Sequence, residues 1–435
     1  MDSVDSIGDR QSTMWWRSSS AKIVVGTVAI IAWGLFFDDL ARTGRWIFDT
    51  SYFNRYALAD LHSRYVDAHL IWTHSKSLYI FRRGALTYPP LAAYLFLPFH
   101  AIGFRATQTV WTLMTMAALA GVLAIAMRRW LAVPGPDAWL GAAAGLAPAS
   151  VFVLFPLRSL LVWGQMAVLL LAVVFVDLFV VPRRYRGVLI GLAAAVKLLP
   201  ALFIIWLLAK RDFASSLRVV VAFILFTLCA AALWPHASIQ YWFHVLPSGR
   251  DVQMAANPTG VFVSVKDWIF GIGKLPNQSL RGMLGRPPFL WLGTLPWLPL
   301  AVAVLAGGIA IAVRLLRQER ELAAFLALSV TTVLVSPVSW LHYWSFVALC
   351  PILAVVEWRR DRPLAIAAIV LAVSTCADLE NTSNLLFAPV TSMSPVFLFA
   401  IRNLYLVGGF VFLVVAGVQS ARAARHRPGV RTASS

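Results

Sequence analysis

An all-α, polytopic membrane protein is what this sequence predicts, and three observations carry the prediction. The chain is 60% hydrophobic and only 13% charged, with a mean hydropathy of +0.76, whereas about a quarter of a soluble domain is charged. Several apolar runs reach the roughly 18 residues a helix needs to cross about 30 Å of hydrocarbon. The formal charge of +18 sits largely in short loops between those runs. That is the positive-inside pattern of a membrane protein, not a nucleic-acid-binding face.

Placing the basic clusters in the cytoplasm fixes the alternation. These clusters are Arg128-Arg129, Arg183 to Arg186, Lys210-Arg211, Arg314 to Arg320, Arg359 to Arg362 and Arg422 to Arg427. Residues 1–21 then form a cytoplasmic tail, and residues 22–417 the membrane domain, opening with a helix at 22–37. No small-residue cleavage motif follows that helix, so it reads as a retained anchor. Residues 38–106 form an external region, and a helix at 107–127 returns.

Residues 91–104 are short and interrupted by proline, which predicts an interfacial or re-entrant helix rather than a crossing. Residues 187–209 carry basic clusters at both ends and Lys197-Leu198-Leu199-Pro200 in the middle. They form a hairpin of two short helices, or the charge rule fails there; broken backbone at membrane depth is tolerated where it lines a cavity. Further helices fall at 138–155, 164–181, 217–234, 290–313, 322–335, 343–357, 363–376 and 397–417. With the hairpin they bring the total to roughly twelve membrane segments. Residues 235–289 are a second long external region, and 418–435 a cytoplasmic basic tail, disordered after 420. The absence of an internal repeat gives an inverted-repeat transporter little support.

The uncommon polar clusters all fall on the external side of this topology. They are Asp60 with Tyr88-Pro89-Pro90, Arg158 with Trp163-Gly164-Gln165 opening the helix at 164, Asn277 to Arg281, Ser336 to His342, and Arg402 near the outer end of the last helix. Polar residues prefer helix ends, which explains each cluster singly; an external active site explains their chemical variety together. Asp60 and Asp67 lie seven residues apart, about two helical turns or roughly 10 Å on one face, so they invite the paired-carboxylate reading of a glycosidase without requiring it. One of them fits equally as a plain loop carboxylate. His62, His69 and His74 lack metal-ligand spacing, so no metal site is expected. Asp177 reads as an interfacial structural residue. Cys229, Cys350 and Cys376 have no paired spacing, against both disulfides and zinc. Arg402 within an apolar stretch is costly unless functional, and its planar fork suits a lipid phosphate; Arg158 and Lys197 are weaker candidates for that task.

These stretches together resemble glycosyltransferase family 87, the GT-C membrane glycosyltransferases of actinobacteria. They are similar to those of mycobacterial polyprenyl-phosphate-mannose-dependent mannosyltransferases of phosphatidylinositol mannoside and lipoglycan synthesis. The resemblance is carried by Asp60-Leu61-His62, Tyr65, Ala68, Leu78-Tyr79 and Thr87-Tyr88-Pro89-Pro90. Pro156-Leu157-Arg158-Ser159 before Gly164-Gln165, GLAAAVKLLP at 191–200, Asn277-Gln278-Ser279 and Ser336 to Trp340 with His342 follow in order. Tyr65 stands five residues after Asp60, where the family often has four, which keeps Asp67 open as the alternative base. The family's double histidine is here His342-Tyr343.

The resemblance implies a GT-C fold and an inverting enzyme. It would move mannose from a polyprenyl phosphate to a glycolipid or lipoglycan hydroxyl on the outer face of the plasma membrane, forming an α linkage. Asp60 would be the general base. Arg402, Arg158 and Lys197 would hold the donor phosphate, and His342 would bind phosphate or sugar. His62, Tyr65, Tyr88, Gln165, Asn277, Gln278 and Trp340 would contact sugar or acceptor. No cofactor or divalent metal is expected, and membrane lipids are the expected surroundings. The sequence also fits an arabinofuranosyltransferase using a polyprenyl phosphate arabinose donor. From another class, a lipid-linked sugar flippase would need polar groups along a through-path, whereas these cluster on one side.

Overall fold

The computed structural model describes residues 58–73, 78–79, 88–246, 276–286, 289, 296–379 and 394–425. The expected first helix at 22–37, His74 and most of the second external region lie outside them. The described residues are overwhelmingly helical and form no strand, only an isolated bridge between Asn277 and Trp340.

In chain order, α1 is Ala59–Trp72, α2 Pro90–Tyr94, α3 Leu97–Ala101 and α4 Phe104–Trp130. α5 (Gly135–Val153) and α6 (Phe155–Trp163) meet at a 91° bend. α7 is Ala167–Phe179 and α8 Val188–Val196; a tight turn of helix at Leu199–Phe203 leads into α9, Ile204–Ala209. α10 is Phe213–Leu233, α11 Pro235–Gln240, α12 Leu280–Leu284, α13 Trp297–Arg317 and α14 Glu321–Val335. A tightly wound stretch, Leu341–Leu349, runs into α15, Cys350–Glu357, and α16 is Arg362–Ser374. α17, Pro395–Arg402, and α18, Leu404–Arg425, are the last of the described helices.

Among the described residues four helices, α4, α10, α13 and α18, are long and apolar enough to cross a membrane, and the bent pair α5–α6 adds a fifth if it is one span. The expectation of roughly twelve segments is not confirmed: the first, at 22–37, lies outside the described residues, and several others are shorter apolar helices. α7 and α16 have 13 residues each and α14 has 15. At 1.5 Å per residue such helices reach only about 20–23 Å, short of the ~30 Å core. Hydropathy registers apolar content but not the backbone breaks that divide it.

Those breaks have local causes. The expected helix at 138–155 ends at Leu154, whose extended backbone precedes Pro156 in the first turn of α6. Gly164 does not open the next helix; it closes α6 in a left-handed conformation (φ 69). The last expected helix is cut at Asn403, so Arg402 ends a short helix of its own. The chain also stays helical through Arg425, beyond the residue-417 boundary and the disorder expected after 420. Residues 90–101 form two short helices, as an interfacial element would, and 188–209 is broken at Lys197.

α13 packs on α14, α8 on α10, α16 on both α15 and α18, and α4 on α7. Their shared core centres on Phe175, Phe325, Trp344, Tyr405 and Phe412, all fully buried. A smaller core joins Leu61 and Ala68 of α1 to Ala92, Phe96 and Trp111.

The two ends of the bundle differ. α4 begins with Phe104 against His62 and Tyr65 of α1 and ends at Arg129, which pairs with Glu321 (2.6 Å). Its 27 residues separate the two ends by about 40 Å. The far end gathers the basic clusters. Lys210 also pairs with Glu321, Arg183 with Asp212, and Arg320 with Asp361. Gln318 donates to the Ser420 carbonyl and accepts from Arg360 through its own.

Candidate active site

α1 is docked onto the α6–α7 junction. The Leu58 amide donates to the Val162 carbonyl (2.5 Å), and Leu58 itself has the left-handed φ of 55°, uncommon for a branched side chain. Gly164 permits the approach: a Cβ there would lie 2.5 Å from the Leu61 Cβ. This contact sets Asp60 beside Gln165.

Gln165 Nε2 donates to Asp60 Oδ2, and Tyr88 Oη donates to Gln165 Oε1 (3.2 Å). Tyr79 Oη in turn holds the Tyr88 carbonyl (2.8 Å). Burial raises the Asp60 pKa above the ordinary carboxylate value, while Arg64, the Gln165 hydrogen bond and Lys197 pull it partly back. Such a carboxylate is a stronger base than a free aspartate.

Lys197 is buried at the break after α8, in extended backbone. Its ammonium lies 3.6 Å from the Tyr343 ring centroid and 4.9 Å from that of Tyr88. No carboxylate among the described residues lies within ion-pairing distance. An aromatic cage stabilises a desolvated cation, and its charge acts on Asp60 and on His342. His342 is only 4% exposed, yet neither ring nitrogen has a hydrogen-bond partner among the described residues. Buried polar atoms in that condition call for an explanation, and a bound ligand is one.

A second group adjoins the first through the segment 336–343. The Asn277 side chain accepts from the Ser339 amide (2.9 Å), and the Gln278 amide donates to the Ser339 carbonyl (2.8 Å). Gln278 Nε2 donates to the Arg402 carbonyl (3.0 Å). Arg286 donates to that carbonyl, to Asn403 Oδ1 (2.5 Å) and to the Asn277 carbonyl. Burial, then the charge of Arg402, lowers the Arg286 pKa to about 9. Arg286 is thus held by backbone and amide oxygens at the end of α17 and at Asn277.

Asp60, Tyr88, Gln165, Lys197 and His342 therefore converge, with Asn277, Gln278, Trp340 and Arg402 in the adjoining group. His62 and Tyr65 do not join them. Both lie on the other face of α1, His62 edge-on to Phe104 and Tyr65 donating to the His100 carbonyl. At 100° per residue, positions 62 and 65 point well away from 60, whereas 64 and 67 share its face. Asp67 is fully buried and paired with Arg64 (2.9 Å). Arg158 is half-buried on α6. Asp177 accepts from the Gly187 and Ile190 amides (2.8 Å each) and so joins α7 to α8. Among the described residues no group of three His, Cys, Asp or Glu side chains is arranged to hold a metal.

The sequence profile of glycosyltransferase family 87 matches residues 86–337, more than half of the chain. The chain belongs to glycosyltransferase family 87. It is 32% identical over 304 residues to the polyprenol-phosphate-mannose-dependent alpha-(1-2)-phosphatidylinositol mannoside mannosyltransferase of Mycobacterium tuberculosis, covering 66% of this chain and 65% of that one. The Mycolicibacterium smegmatis protein of the same name is 33% identical over 300 residues, 63% of this chain and 62% of that one. A phosphatidylinositol pentamannoside mannosyltransferase of M. tuberculosis, also polyprenol-phosphate-mannose-dependent, is 30% identical over 278 residues, 64% of this chain and 60% of that one. The chain thus spans a little under two thirds of the length of these relatives. No solved structure matches it.

Three members of this candidate site carry little or no signal in the sequence. Arg64 carried a signal, since it stands four residues after Asp60 and three before Asp67, the spacing of neighbours on a helix. Tyr343 adjoins a flagged histidine. Arg286 carried none, because only the fold brings it to Arg402.

Proposed function

We propose that this chain transfers mannose from a polyprenyl phosphate mannose donor to a hydroxyl of a glycolipid or lipoglycan, at the outer face of the membrane. The transfer inverts C1, so a β-linked donor gives an α-linked product. Family membership and the names of the relatives support the reaction class and the sugar. The observation that carries the reading is the Asp60 carboxylate, oriented by Gln165 beside the caged Lys197.

In this scheme the acceptor hydroxyl gives its proton to Asp60 as its oxygen bonds to C1. The bond from C1 to the phosphate oxygen breaks, and the electron pair leaves with the polyprenyl phosphate. C1 is oxocarbenium-like in between. Lys197, with Arg402 and Arg158, offsets the charge appearing on the leaving phosphate, and pre-positioned charge of this kind is a major source of rate. His342 hydrogen-bonds donor phosphate or sugar. Gln165, Asn277 and Gln278 read hydroxyls, and Trp340 offers a sugar-stacking face. A lipid-linked donor enters sideways from the bilayer.

The end of the bundle holding Asp60 faces outward, because the basic clusters gather at the other end and positive charge is retained in the cytoplasm. Both chain termini are then cytoplasmic. Purified protein given labelled polyprenyl phosphate mannose and a phosphatidylinositol mannoside should form product without an ion gradient. Vesicle uptake of the lipid-linked sugar without product would make the chain a transporter instead. An impermeant thiol reagent on intact cells should label His62→Cys but not Arg184→Cys; the reverse pattern would invert the orientation.

A further inference from the structure

A cavity of about 470 Å³ lies at the basic end of the bundle, lined by Gln318, Arg320, Arg360, Asp361, Arg362 and Arg422 among others. That volume is in the range of sites that hold small ligands. Arg320 is already neutralised. It pairs with Glu357 through two hydrogen bonds (3.1 and 2.9 Å) and with Asp361 (2.9 Å). The second Asp361 oxygen caps α16 by accepting from the Leu364 amide (3.1 Å), so this carboxylate is occupied on both sides. Arg360, Arg362 and Arg422 remain, all exposed. None of the three is ion-paired among the described residues, and Arg360 donates only to the Gln318 carbonyl (3.2 Å).

The cavity sits where two apolar faces end. α16 and α18 pack side by side. From α16, Ile366, Ile369, Val370 and Val373 are exposed, and from α18, Val411, Val414 and Val418. Each set repeats at three- and four-residue spacing, a continuous strip along one face of its helix. Arg362 and Arg422 stand at the cavity end of these strips. Three unpaired guanidinium groups at the foot of lipid-facing apolar strips match a ligand with a phosphate head and hydrocarbon tails.

We propose that this cavity binds the phosphate headgroup of an anionic glycerophospholipid, whose acyl chains lie along α16 and α18. Guanidinium forks suit phosphate oxygens, and basic pockets between membrane helices are a recurrent lipid-headgroup geometry. The site lies at the opposite end of the bundle from Asp60, so it stands independently of the transfer reaction. Its role is to seat the bundle in an anionic leaflet.

Full-length protein in phosphatidylcholine nanodiscs doped with phosphatidylglycerol tests this by native mass spectrometry of the retained lipid. Wild-type protein should keep phosphatidylglycerol in preference to phosphatidylcholine. R362Q/R422Q should keep it roughly tenfold to thirtyfold less well, as expected for two arginines near an anionic headgroup. Both side chains are exposed, so the variant should retain the wild-type melting temperature in pure phosphatidylcholine and its wild-type turnover. Equal retention by wild type and variant would overturn the proposal. Displacement of the bound lipid by millimolar inorganic phosphate alone would also overturn it, by making free phosphate the ligand.

Discussion

The two ends of this bundle use similar charged residues to opposite effect. At the basic end carboxylates meet partners: Arg320 lies between Glu357 and Asp361, and Glu321 between Arg129 and Lys210. At the other end, Asp60 accepts an amide proton from Gln165 instead of an ion pair, Lys197 sits among aromatic rings, and both His342 nitrogens lack partners among the described residues. Paired charge holds helices together. Charge left for a substrate to complete is the arrangement of a binding site. The same contrast appears within one helix, between ion-paired Asp67 and, two turns earlier, the amide-held Asp60.

The contrast predicts that equivalent carboxyl-to-amide changes will separate stability from activity. Glu357→Gln leaves buried Arg320 with a single carboxylate, and should lower unfolding stability by roughly 3 kcal/mol. Chemical denaturation in detergent measures it, and an unchanged midpoint would mean that the pairing at the basic end does little for the fold. A smaller effect is expected at Arg402. Arg402→Ala should raise the donor KM about tenfold, near 1.4 kcal/mol, with Arg402→Lys between it and wild type because the charge remains but the fork does not. The Arg402 backbone is held separately, by Gln278 and Arg286, so the fold should survive either change. Unaltered KM and kcat in the alanine variant would make Arg402 a helix-end anchor only.

The smallest effect concerns pH. In the proposed reaction Asp60 can serve as the base only when ionised, and burial raises its pKa above 3.8. Activity should therefore fall on the acid side at a higher pH than for an ordinary aspartate, as protonation of Asp60 removes the base. The acid limb of kcat/KM measures this; a limb lying at or below 3.8 would mean an aspartate in a water-like or strongly paired setting.

Much of this site was legible because its parts stand in short runs: Asp60-Leu61-His62, Trp163-Gly164-Gln165, Ser336 to His342. Residues in such runs arrive together wherever the fold carries them. What the runs conceal is direction. His62 lies two residues from Asp60 and on the other face of α1, because a helix turns 100° per residue. Gly164 was read as the start of a helix, whereas its freedom at positive φ ends one and lets α1 approach. Arg286 meets Arg402 only across 116 residues, a separation no local pattern spans. The expected twelve segments likewise rested on apolar content. Pro156, Pro200 and Asn403 lie at breaks that content does not register.

Asp60→Asn beside Asp67→Asn tests the central claim most directly. Asparagine keeps the shape of aspartate but cannot take the acceptor's proton near neutral pH. Asp60→Asn should leave the protein folded and donor-binding, with turnover lowered at least ~100-fold. Asp67→Asn breaks the pair with Arg64, and should act mainly on stability. Normal turnover in Asp60→Asn with a folded but inactive Asp67→Asn would contradict the account, and would move the base two turns along α1.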